Sequence, residues 1–145
     1  MIAYSRPFWP LFLHVLGAMA FFGAILAVLI LSLVAWRRPD ARFLHRAAFT
    51  ASLIAVAAYV VMRVGAEWIY SKEGWGKGGA EDPTWVGIGY GVSDIGLLVL
   101  LVIVGCSFWW SRSGRPVAGR IVAVLSVLLT AALAVAWLAM SGKWG

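Results

Sequence analysis

Four long apolar runs organise the chain: Phe8–Trp36, Leu44–Tyr70, Trp85–Trp110 and Val117–Met140. Each exceeds the roughly 20 residues a helix needs to span the hydrocarbon core of a bilayer. Four such spans leave no length for a soluble domain. The pattern predicts an all-α integral membrane protein, a four-transmembrane-helix bundle forming a single domain over residues 1–145. Helices are expected at about 8–36, 44–70, 85–110 and 117–140. No internal repeat relates the first pair to the second.

The polar stretches between the runs predict an orientation. Arg37, Arg38, Arg42 and Arg46 surround the first connector. Arg112, Arg115 and Arg120 surround the third, where Gly114 and Pro116 break the helix. The second connector sets Lys72 and Lys77 against Glu73, Glu81 and Asp82. Short arginine-rich loops stay in the cytoplasm. Connectors one and three are therefore expected inside, and both termini and the Gly-rich second connector outside. The aromatic residues fit these boundaries. Phe8, Trp9, Trp68, Tyr70, Trp85 and Trp144 fall at the expected outer surface, and Trp36, Phe43, Trp109 and Trp110 at the inner one. Amphipathic rings favour such interfaces.

Composition agrees with a multi-pass protein of the cell membrane. Hydrophobic residues make up 63% of the chain and charged residues 12%, against about 25% charged in ordinary soluble domains. The net charge of +6 does not indicate nucleic acid, because the arginines flank membrane segments. Arg6 and the Ala18-Met19-Ala20 triplet resemble a signal-peptide boundary, but the apolar run continues to Trp36. It is read as a retained span, since a cleaved signal has an apolar core of roughly 7–15 residues. The single cysteine, Cys106, excludes an intrachain disulfide and a cysteine metal motif, and is expected in the core.

Two glycine-rich stretches imitate nucleotide loops and fail. Gly74-Trp75-Gly76-Lys77-Gly78-Gly79 has no Ser or Thr after its lysine. Gly87-Ile88-Gly89-Tyr90-Gly91 lies within an apolar span and not after a strand. Gly87 and Gly91 instead form a small-xxx-small step, expected to bring two helix backbones close.

Ionisable residues inside a span are expensive and point to function. Four stand out: His14, Arg63, Glu67 and Asp94. At about 1.5 Å per residue they lie about 9, 10, 5 and 13 Å below the outer ends of their helices. They come from three helices and share the outer half of the expected bilayer. Tyr59, Arg63, Glu67 and Tyr70 follow helical spacing on one side of the second helix. Gly87, Gly91 and Asp94 share a side of the third, which is expected to point Asp94 into a close-packed seam. His14 shares a side with Gly17, Ala18 and Phe21. Arg63 is always charged. With both carboxylates ionised and His14 neutral, the group carries one excess negative charge, which favours a bound proton or cation. The simpler reading is an Arg63–Glu67 pair on one helix surface. His45, among the inner arginines, is expected to be solvated.

The first helix carries a resemblance. Phe12-Leu13-His14-Val15-Leu16-Gly17-Ala18, followed by Phe21-Phe22-Gly23, resembles the first span of HemJ-type and CopD-like membrane proteins. Both are helical bundles with a first-helix histidine and a glycine about nine residues on. The resemblance implies haem b binding and protoporphyrinogen oxidation for the first family and copper handling for the second. On that likeness His14 is a candidate haem or metal ligand. The later-helix lysine of HemJ-type proteins has no counterpart, since Trp85 to Leu98 carries Asp94 instead.

The expected function is a small polytopic membrane protein with an outer-leaflet polar pocket built from His14, Arg63, Glu67 and Asp94. It would bind or transport a proton, a cation or a small polar solute. The alternatives are a haem-b redox protein and an accessory subunit of a larger membrane complex. The lipid bilayer is the expected partner, with a homo-oligomer or a larger complex as the assembled form. No catalytic residue is assigned.

Overall fold

The computed structural model describes residues 8–73 and 84–142. Arg6, the Gly-rich connector at 74–83, Lys143 and Trp144 lie outside the described residues. Four helices follow one another: α1 (Phe8–Arg37), α2 (Arg42–Glu73), α3 (Thr84–Ser113) and α4 (Pro116–Gly142). All four are long and apolar enough to cross a membrane. The ends have local causes. Pro39 cannot continue α1, and the chain turns through Arg42 N–H donating to the Asp40 carbonyl at 2.9 Å. Gly114 closes α3 with φ of 69°, its N–H donating to the Trp110 carbonyl at 2.8 Å. Glycine adopts this left-handed cap without steric cost. Pro116 then opens α4, where a missing N–H is harmless.

The helices form a ring in which α1 contacts α2 and α4, and α3 contacts α2 and α4. Phe21, Ile25 and Val28 of α1 fill the centre against Tyr59, Leu100, Ile103, Val122 and Leu129. The outward faces are just as apolar: Ile30, Ile95, Leu98, Leu128 and Trp137 are all exposed. In water such a surface would be an aggregation liability. Against lipid tails it is the expected surface of a spanning helix.

The closest approach is between α1 and α2, and it is reciprocal. A Cβ on Gly17 would stand 2.7 Å from the Met62 Cα, and a Cβ on Gly65 would stand 2.8 Å from the His14 Cα. Each glycine thus receives the backbone of the other helix. The expected glycine seam on α3 is corrected: Gly87 and Gly91 are exposed, and a Cβ on either would meet nothing within 4 Å. Their small-xxx-small spacing permits a close approach, but among the described residues no helix comes that close to them.

The arginine-rich end is sealed by a second cluster of Ala35, Leu44, Ala48, Trp110 and Ala118. Trp110 is 3% exposed and rests where a Cβ on Gly119 would lie 2.6 Å from its ring. His45 stacks on that ring at 4.1 Å and is 2% exposed. Both differ from the interfacial, solvated positions expected of them, because the α2–α3 crossing covers their shared face. Arg42, Arg46, Arg112, Arg115 and Arg120 are exposed around this plug.

The two kinds of glycine predict opposite signs. Gly65→Ala should destabilise the bundle by about 1–3 kcal/mol through overpacking. Gly91→Ala should be neutral or stabilise by up to about 1 kcal/mol, since its site is open and alanine favours helix. Thermal unfolding of both variants in detergent micelles checks the contrast.

Candidate functional site

Helix α2 turns two faces to two neighbours. Met62 and Gly65 meet α1. Tyr59, Arg63, Glu67 and Tyr70 run down the side toward α3. Successive residues advance about 100° around a helix, so Gly65 and Arg63 point to different sides, with Tyr59 at the border touching Phe21 of α1.

Arg63 is the hub of the second face. Its Nη1 donates to Asp94 Oδ1 of α3 at 2.8 Å, and its Nε donates to Glu67 Oε1 at 3.0 Å. Nη1 also donates to the Ser93 hydroxyl at 3.3 Å, and Ser93 donates to the Tyr59 hydroxyl at 3.3 Å. The guanidinium lies over the Tyr90 ring, 4.6 Å from its centroid. Tyr70 meets Tyr90 edge-on at 5.6 Å. Buried Tyr59 is braced in turn by Phe21 of α1, ring to ring at 5.7 Å. One guanidinium therefore gathers two carboxylates, a hydroxyl and an aromatic face.

Depth and exposure decide what this means. Arg63 and Asp94 stand about 8 and 7 Å from the midpoints of their helices, toward the same end. A hydrocarbon core about 30 Å thick, centred on these helices, would contain both. The Arg63 side chain is 28% exposed, but Glu67 and Asp94 are 52% and 62% exposed. Asp94 is therefore not enclosed in a helix seam as expected. It is tied to Arg63 on one side and open on the other. Beside it, Glu67, Tyr70, Val86, Gly87 and Tyr90 line a cleft of about 290 Å³ between α2 and α3. The Tyr90 hydroxyl is buried beside the Glu67 carboxylate but reaches no partner at hydrogen-bonding geometry among the described residues.

His14 does not join this group. Its Nδ1 lies 3.1 Å from the Met62 carbonyl in the α1–α2 contact. A carbonyl oxygen only accepts, so Nδ1 is the donor in this contact. The four residues expected in one constellation thus divide into a three-residue network across α2 and α3 and a histidine clamp across α1 and α2. The α1 and α2 backbones touch beside His14, where a Cβ on Gly65 would lie 2.8 Å from its Cα. No group of three His, Cys, Asp or Glu side chains capable of holding a metal occurs among the described residues.

Sequence reasoning missed Ser93 and Tyr90. Tyr90 stands four residues before Asp94, a helical spacing that places both near the same guanidinium. Ser93 left no such signal. Its neighbour carries the charge, and a helical serine usually satisfies its own backbone.

If Arg63 is the shared counter-ion, Arg63→Met should cost more than Asp94→Asn, because it strands two carboxylates. Combining the two should reveal a coupling of about 0.5–3 kcal/mol in a double-mutant cycle. Unfolding free energies in detergent supply the four corners. His14→Ala should lose only about 1 kcal/mol and leave that coupling unchanged. No family model, curated protein or solved structure matches the chain.

Proposed function

We propose that this chain is a multi-pass cell-membrane protein that binds a cation, a proton included, in the cleft between α2 and α3. The termini and the cleft face outward in this reading, since the arginines gather at the opposite end. One observation carries it: a single guanidinium serves two carboxylates. With both ionised, the network holds one negative charge too many. A charged aspartate near the middle of a spanning helix costs about 2.5–3.5 kcal/mol on insertion scales. A proton on Asp94 or Glu67, or a cation beside them, cancels the excess. The partial exposure of both carboxylates supports access for such a cation. The same site would load the cation if the protein carries it across the bilayer.

A second reading has its own support. Asp94 and the open glycines Gly87 and Gly91 share the outward side of α3. That face suits a neighbouring helix in a larger membrane complex, where a basic side chain would supply the missing charge.

The unfolding midpoint tests the first reading. It is measured in detergent across pH and across chloride salts of sodium, potassium and tetramethylammonium. Binding to the folded state alone raises stability by about 2.7 kcal/mol at a hundred times the dissociation constant. Wild type should respond to lower pH or to one of these cations, and Asp94→Asn and Glu67→Gln should lose that response. A response identical in all three proteins would refute the proposal.

A further inference from the structure

We infer that the cation taken by the α2–α3 cleft is a small organic ammonium ion, held by Glu67 and the rings of Tyr70 and Tyr90. This rests on the cation-binding reading above and names its ligand class. The cleft holds about 290 Å³ and is lined by Glu67, Tyr70, Val86, Gly87 and Tyr90. That is one carboxylate, two phenols, an aliphatic wall and a glycine. Calcium takes six to eight oxygen ligands and magnesium an octahedral oxygen shell of waters and one or two carboxylates. This lining is too apolar for that. No metal-competent group of three acidic, histidine or cysteine side chains occurs among the described residues. An alkylammonium needs the opposite: a carboxylate at contact distance and aromatic faces around its methyl or methylene groups.

Three further features fit. The Tyr90 ring already receives the Arg63 guanidinium at 4.6 Å, so its π-face is used for cation contact within the protein itself. Gly87 is exposed and a Cβ there would meet nothing within 4 Å, so the glycine contributes volume to the cleft and not packing. Arg63 meanwhile is held by Asp94 and Ser93 as well as by Glu67, so a ligand can take up Glu67 without releasing the guanidinium.

Organic ammonium has two sources at this depth: a soluble amine and the headgroup of an ethanolamine or choline lipid. The cleft lies toward the ends of α2 and α3, and its chemistry accepts either. The experiment separates them. Full-length protein is placed in nanodiscs of phosphatidylglycerol alone and titrated calorimetrically with choline, with its neutral carbon isostere 3,3-dimethylbutanol, and with potassium. Choline should bind, and the isostere should bind at least about tenfold more weakly. Glu67→Gln and Gly87→Val should each weaken choline by about tenfold or more. Gly87→Val fills open space, so the fold should survive, as an unchanged unfolding midpoint confirms. Tyr90→Phe should retain most of the affinity and Tyr90→Leu should lose it. Adding phosphatidylethanolamine to the discs identifies the lipid source if it competes with choline, and the soluble source if it does not.

Equal binding of choline and its isostere would overturn the inference, as would choline binding indifferent to Gly87→Val. If potassium or protons bind in an Asp94-dependent way and choline does not, the organic ligand falls while the cation reading stands. If nothing binds, both fall.

Discussion

The contact of two helix backbones at Gly17 and Gly65 governs the rest of the bundle. It fixes the rotation of α2 as well as its distance from α1. With Gly65 and Met62 pressed on α1, Arg63 is turned toward α3, where it meets Asp94. The His14–Met62 bond locks the same contact from the α1 side. Any larger residue at either glycine pushes the helices apart and turns Arg63 away from Asp94. The polar network is thus set by a backbone contact on the opposite side of α2.

Arg63 in turn stitches the loosest neighbouring pair. Helices α2 and α3 share the thinnest packing of the four adjacent pairs. The Arg63–Asp94 bond crosses that gap at 2.8 Å. The Glu67 arm is an i, i+4 pair along one helix and joins nothing across the gap, a kind of pair worth only about 0.3–0.5 kcal/mol. Its place beside the cleft gives it a different use. The two carboxylates therefore divide the labour: Asp94 joins helices, and Glu67 remains available to a ligand.

Much of this was legible in the chain itself. The helices followed from apolar run length alone, and their ends extend past the apolar cores because Arg42, Ser71 to Glu73 and Arg112 are good enough helix residues to continue the ladder. The Arg63–Glu67 pair follows from i, i+4 spacing, and the Arg63–Asp94 contact from their shared depth. Rotation was not legible. Glycine spacing says where two backbones can meet but not whether a partner stands opposite, so Gly87 and Gly91 looked like a seam and Gly17 and Gly65 did not. The same ignorance of rotation grouped His14 with a network that lies on the other side of α2. Tyr70 read as an interfacial ring, which hid its place in the cleft wall.

The plug at the arginine-rich end has a mechanical consequence. Trp110, seated on Gly119 and capped by His45, closes the bundle below a centre already filled by Phe21, Ile25 and Leu100. In the proposed reading, a ligand entering between the tyrosines would meet this filled centre. Anything it moved across a bilayer would have to travel with a rearrangement of the helices, one load per cycle. Its rate would then saturate with concentration, as that of a carrier does and that of an open pore does not.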